Sequence, residues 1–305
     1  MKNIVFFIEP EWVFGRIHYD LSKHLFKYGF NCHVLPWSRS YSIEEMKELE
    51  SKTDKFVTIP EGWGHGLKTY GVIPIEKCVI VAHMARDISN LIDSHGVDEF
   101  ERVHRFGCVS EHLIRSSKEL GVERTPSLVY LGIDYNLFSC KPKDRLLRVG
   151  FGGSYSDSES ECHQRNAIFK RGWLARQAAE AAGLDFKIAC RYHNSFVTMP
   201  GFYGNTDALI CASTQEGAGM PALEAAVAGN LVITTDVGYV QDRSKGSPIH
   251  IVSMDEENFL KETTELLLDY KNDDAKYKRR CEEIQEHAKQ YDWSNCIENW
   301  VDLLT

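Results

Sequence analysis

Short apolar runs of strand length alternate with longer stretches whose apolar positions recur at helical spacing. In the first half, residues 4–8, 31–35, 55–59, 78–82 and 105–109 read as strands, and 17–27 as an amphipathic helix. The pattern restarts at 146–152, followed by a helix over 173–182 and strands over 185–189 and 208–212. A further helix over 222–228 and strands over 231–234 and 249–252 come next, and a charged helical tail runs from Asp255 onward. Strand–helix alternation of this kind predicts parallel sheets covered by helices. Its repetition predicts two α/β domains, residues 1–140 and 141–291, with a cleft between them where a small ligand binds.

Composition narrows the partners. With 43% hydrophobic and 26% charged residues in 305, the chain is that of a globular protein with room for two cores. A net charge of −9 argues against nucleic acid as a partner. Neither a membrane-span-length apolar run nor a cleavable signal pattern is present, so a cytoplasmic location without a transmembrane segment is expected. The nine cysteines are odd in number and lack C-x-x-C spacing, which fits reduced thiols. The twelve histidines form no ligand cluster. Asp157-Ser-Glu159 has the spelling of a D-x-D metal motif but sits in a polar, serine-rich loop, so no metal is expected there.

The most informative stretch is Ser213-Thr-Gln-Glu-Gly-Ala-Gly-Met-Pro-Ala-Leu-Glu-Ala-Ala-Val-Ala-Gly229. An apolar strand precedes it, Pro221 suits the first helical position, and Gly229 suits the helix end. Glu216 then lies in a loop and Glu224 in the first helical turn. Unpaired backbone N–H groups at such a helix start attract anions, and a carboxylate accepts hydroxyl protons. Together these groups suit a ligand that is part phosphate and part sugar.

This stretch resembles the E-x7-E signature of retaining glycosyltransferases of the GT-B fold, in the glycogen-synthase-like family four. Ser213, Glu216, Gly217, Gly219, Pro221, Leu223, Glu224, Ala225, Ala228 and Gly229 fall on the family pattern, with Ala218 and Met220 replacing an aromatic residue and a leucine. Residues 129–138 are similar to the segment that ends the family's N-terminal domain, with Leu131 in place of Asn. Tyr291-Asp-Trp-Ser294 is similar to the stretch before its last helix, which in the family crosses back onto the N-terminal domain, here at about 292–305. The resemblance therefore implies two Rossmann-like domains facing a cleft, along nearly the whole chain.

It also implies roles. Glu216 would hold donor-sugar hydroxyls and Glu224 the nucleotide ribose, while the N–H groups of Gly217, Ala218, Gly219 and Met220 receive the diphosphate. The family's Lys, which stands before a glycine at a helix start, maps onto Lys170 or Arg171 before Gly172. The usual Arg after the first strand of the second domain is missing from Gly150-Phe-Gly-Gly-Ser154, and Arg165 is its candidate substitute. Gly152 and Gly153 are further candidates to present N–H groups to phosphate. His83, ending an apolar strand, matches a histidine that faces the donor sugar, and Gly15 matches the acceptor-side glycine loop. Trp12, Trp63 and His65 are candidates for stacking on an acceptor sugar, although buried packing also explains each. Phe196 to Met199 fall where the nucleobase would lie, whereas Cys190-Arg191-Tyr192 replaces the family's glycine turn.

The implied activity is transfer of a sugar from a nucleotide-sugar, with retention and without a metal or other cofactor. The acceptor would be a glycan, a lipid or a small molecule, which leaves peripheral membrane association open. A different class of reading is a non-catalytic sugar-nucleotide- or glycan-binding protein descended from such an enzyme.

Overall fold

The computed structural model describes residues 1–10, 12–157, 165–190, 194–238, 240 and 246–305, with the backbone alone at Trp12, Arg165 and Asn166. The chain forms two compact units, Met1–Gly132 with Trp293–Thr305, and Ile133–Asp292.

The first unit is built on six parallel strands: β1 (Lys2–Phe7), β2 (Phe30–Leu35), β3 (Lys55–Thr58), β4 (Cys78–Ala82), β5 (Arg105–Cys108) and β6 (Ser127–Leu128), in the order β2-β1-β3-β4-β5-β6. β4 is buried along its whole length, as its unbroken apolar run requires of a strand covered on both faces. The helix Trp12–Phe26 begins five residues before the expected start, so Gly15 lies within its first turn and not in a flexible loop. The acceptor-loop assignment of Gly15 is corrected accordingly. The helix Ile297–Leu304 packs on β5, where a Cβ on Gly107 would meet Leu303 at 3.1 Å, and Trp300 Nε1 donates to the Tyr130 carbonyl at 2.9 Å.

The second unit carries β7 (Arg148–Gly152), β8 (Asp185–Ala189), β9 (Ala208–Cys211), β10 (Leu231–Thr235) and β11 (His250–Val252), also parallel, in the order β11-β10-β9-β7-β8. The unit begins earlier than residue 141. Ile133 donates its N–H to the Tyr291 carbonyl at 2.8 Å, and Tyr135 donates to Asp292 Oδ2 at 3.2 Å. Phe138 then packs its ring 6.1 Å from that of Tyr203. These contacts draw residues 133–140 into the second unit.

Candidate functional site

The signature loop leaves the carboxyl end of β9, the end at which parallel α/β sheets place their ligands. It enters the helix Met220–Val227 through Gly219, whose φ of +68° is a left-handed conformation natural to glycine. No side chain caps this helix start, and Pro221 has no N–H to satisfy. Ala222 and Leu223 donate back to the Gly219 carbonyl at 3.0 and 3.4 Å. Among the described residues, the N–H groups of Gly217, Ala218, Gly219 and Met220 meet no acceptor, although all four residues are buried. Backbone donors in that state need water or a ligand, and the helix dipole favours an anionic one.

Lys170 closes the helix Arg165–Lys170 and forms an ion pair with Glu216 Oε1, which also accepts the Ser213 hydroxyl at 2.7 Å. Its alkyl stem lies against Gly153, where a Cβ would stand 3.7 Å away. Two links hold this helix end on the loop. Thr214 donates its N–H to the Phe169 carbonyl at 2.8 Å, and Arg171 Nε donates to the Ala212 carbonyl at 2.7 Å.

Arg171 is therefore not the phosphate-facing cation that its place before Gly172 suggests. It is buried, adopts φ +47°, donates a second bond to the Met254 carbonyl at 2.7 Å and lies 3.8 Å from Glu256. Burial also pulls its guanidinium below the ordinary arginine range. Its role is to tether the segment that carries Lys170.

The glycines of β7 are corrected in part. Gly153 donates its N–H to the Ala189 carbonyl at 2.9 Å, so that group is engaged in the sheet and not offered to phosphate. Gly152 lies beside the Tyr203 hydroxyl and Pro221, where a Cβ would stand in ordinary contact at 3.4 and 3.5 Å. Tyr203, fully buried, donates its hydroxyl to Glu224 Oε2 at 2.8 Å. Burial and the adjacent Glu224 charge hold the phenol well above its usual range, so it remains a donor. Glu224 is itself buried and lies in the second helical turn rather than the first.

Ser213, Tyr203, Thr235 and Gly238 complete the site, and of these only Ser213 is marked by the signature. Thr235 donates its hydroxyl to the Ser213 carbonyl. Gly238, at φ +59°, presses on the loop so closely that a Cβ would lie 2.9 Å from the Ala218 carbonyl carbon and 3.1 Å from Glu216 Cβ.

The remaining candidates divide. Arg165 lies in its helix, but its side chain falls outside the described residues, as do the Trp12 side chain, Arg191 and Tyr192. Trp63 is buried and donates to Glu99 Oε2 at 2.7 Å, a packing role, while His65 is exposed. Asp157 pairs with Arg176 at 2.7 Å and accepts the Tyr155 hydroxyl, whereas Ser158 and Glu159 lie outside the described residues. Among the described residues no cluster of histidine, cysteine and carboxylate side chains could hold a metal ion. Phe196 sits in a short 3-10 turn that also presents Val197 to solvent.

His83 follows β4 in the first unit. Its Nε2 is buried without a partner, its ring meets Phe14 edge-on at 5.0 Å, and burial pushes its pKa down to about 3. It is thus a neutral imidazole.

Two parallel Rossmann-like units with an E-x7-E loop of this geometry define the GT-B fold. Residues 170–269, within the second unit, match the family described as Glycosyl transferases group 1. Sucrose-phosphate synthase from Thermosynechococcus elongatus is similar in structure, with a TM-score of 0.70, 12% identity and coverage of 99% of this chain and 98% of that one. HepE from Anabaena, in complex with UDP-glucose, gives a TM-score of 0.70 at 13% identity, covering 100% and 99%. The catalytic domain of starch synthase IV from Arabidopsis thaliana, bound to ADP and acarbose, gives 0.62 at 11% identity, covering 100% and 98%. No curated protein sequence matches the chain.

Proposed function

We propose that the protein is a retaining glycosyltransferase that transfers a sugar from a nucleotide-sugar to an acceptor without a metal. The observation that carries this reading is the Lys170–Glu216–Ser213 cluster beside the unpaired N–H groups of Gly217 to Met220. In the free protein Lys170 and Glu216 neutralise each other. When a donor binds, its diphosphate takes the N–H groups and Lys170, and Glu216 is released to accept sugar hydroxyls. Glu224, steadied by Tyr203, is placed for the ribose. As the glycosidic bond breaks, negative charge grows on the leaving phosphate, where Lys170 and the fixed N–H dipoles stabilise it. That charge also makes the phosphate a base for the acceptor hydroxyl, so attack occurs on the face the phosphate leaves. HepE has been solved with UDP-glucose, which makes UDP-glucose the first donor to test. The acceptor would be a glycan, a lipid or a small molecule, and a cytoplasmic location is part of the same proposal.

Transfer is expected to persist in excess EDTA, because these charges belong to the protein, and NMR of the product should show the donor's anomeric configuration. An inverted product, or metal-reversible loss of activity, contradicts the reading. One observation favours a second reading, that of a non-catalytic sugar-nucleotide binder. Arg171 is withdrawn, which leaves Lys170 as the cation described beside the loop. Hydrolysis of UDP-glucose without an acceptor supports the enzyme; binding without hydrolysis or transfer supports the binder.

A further inference from the structure

A row of cations crosses the first sheet at the end where its strands begin. Across parallel strands, paired residues share a face, and along a strand every second residue does. Ile4 pairs with Lys55, Val57 with Val79, and Val79 with Arg105. Lys2 stands two residues before Ile4, and Lys55 two before Val57. The side chains of Lys2, Lys55 and Arg105 therefore emerge on one face of β1, β3 and β5, where β1 and β3 are neighbours about 4.8 Å apart and β4 lies between β3 and β5. Among the described residues none of the three has a carboxylate within ion-pair distance, although the whole chain carries −9.

The neighbouring groups deepen the imbalance. Lys77, just before β4, is turned away to Glu50 at 2.6 Å. Asp54, the nearby acid, accepts the Asn3 N–H at 2.7 Å, and Lys55 has only a 3.5 Å contact with the Glu76 carbonyl. The Arg124 guanidinium donates to the carbonyls of Val103 and His104 at 2.6 and 2.8 Å, so its charge meets no carboxylate. His104 holds a buried Nε2 without a partner. Burial, and then the charges of Lys55, Arg105, Arg124 and Lys2, keep its imidazole below the ordinary range. Burial, with Lys2 and Arg105 next, does the same to the Lys55 ammonium.

We propose that this end of the first sheet binds a phosphate-bearing ligand, with Lys2, Lys55 and Arg105 supplying the charge. A dianion relieves the mutual repulsion of the cations. The site lies in the first unit and uses none of the residues assigned to the nucleotide-sugar, so it stands independently of the glycosyltransferase reading. The phosphate could belong to a soluble compound or to a lipid headgroup.

The test is calorimetry at low ionic strength with inorganic pyrophosphate, on the full chain kept in saturating UDP, comparing wild type with Lys55→Gln/Arg105→Gln. Loss of two charge-assisted contacts is expected to weaken pyrophosphate binding about tenfold or more. UDP affinity, measured separately, should be unchanged. Lys2→Gln, an exposed change, serves as a second variant should the double substitution fail to fold. Sedimentation with phosphatidic acid vesicles separates the sources. Pelleting lost in the variants assigns the headgroup, and soluble binding without pelleting assigns a free phosphate compound. Pyrophosphate affinity equal in wild type and variants, or absent in both without vesicle pelleting, overturns the proposal.

Discussion

At the scale of single residues, the ion pair between Lys170 and Glu216 makes opposite predictions for its two members. Glu216→Ala removes the acceptor for sugar hydroxyls and should cost on the order of 2–4 kcal/mol of transition-state stabilisation. It also leaves Lys170 unneutralised beside four unpaired N–H groups, so free UDP should bind at least as tightly as to wild type. Lys170→Ala should weaken UDP. Calorimetry with UDP beside transfer kinetics checks both, and weaker UDP binding in Glu216→Ala would remove the proposed exchange of partners. Tyr203→Phe deletes the bond to buried Glu224 and is expected to cost about 1–3 kcal/mol of stability while raising KM for the donor. Urea unfolding and donor saturation curves read the two effects separately.

At the scale of elements, the site works because three segments converge on one loop: the helix carrying Lys170, the helix Met220–Val227 and the exit of β10. Gly238 is the tightest point of that convergence. Gly238→Ala places a Cβ against the Ala218 backbone and forces a left-handed alanine, which alone costs about 1 kcal/mol. The expected result is a loop displaced from Glu216 and a fall in kcat/KM larger than the loss of stability. Equal activity in the variant would show that the loop tolerates the shift.

This convergence also marks what could be read from the sequence. β4 and β8 occupy the expected residues, because a short apolar run between polar flanks carries its own boundaries. The helix Met220–Val227 was legible through Pro221 and its run of helix formers. β6, two residues long, offers too little pattern to register. The helix Ile43–Lys52 was not anticipated, although Ser42 and Glu45 form a capping box that spells it out. The charged tail is three helices, broken where Asp273 caps a new start. Arg171 was misplaced because its neighbour Gly172 matched the family spacing, while the carbonyls that capture it belong to distant residues. Tyr203 and Gly238 act through contacts that only folding creates.

At the scale of the whole molecule, pH is the variable that the buried groups of the first unit make consequential. Burial lowers His18 to about 4, with its Nδ1 set against the Phe14 carbonyl at 2.9 Å, and lowers His83 to about 3. The unfolded chain protonates both near 6.5, so it binds more protons than the folded chain as pH falls from there. Stability carried by the two histidines is therefore fully present above about pH 6.5 and lost as pH falls toward 4 and 3. Asp87 acts the other way. Burial first, and then Glu61, raise it to about 6, so its folded carboxyl takes up a proton that the unfolded one does not bind until near 3.8. It recovers stability as pH falls through 6. Two histidines outweigh one carboxyl, which leaves these three groups with a net loss of roughly 2–3 kcal/mol between pH 7.5 and 5, and His250 of the second unit, lowered by burial to about 4, adds to it. Urea unfolding across that range measures the loss. His18→Gln removes one of the titrating histidines and should flatten the dependence, whereas a wild-type stability that is level from pH 7.5 to 5 would mean that these imidazoles accept protons in the folded state.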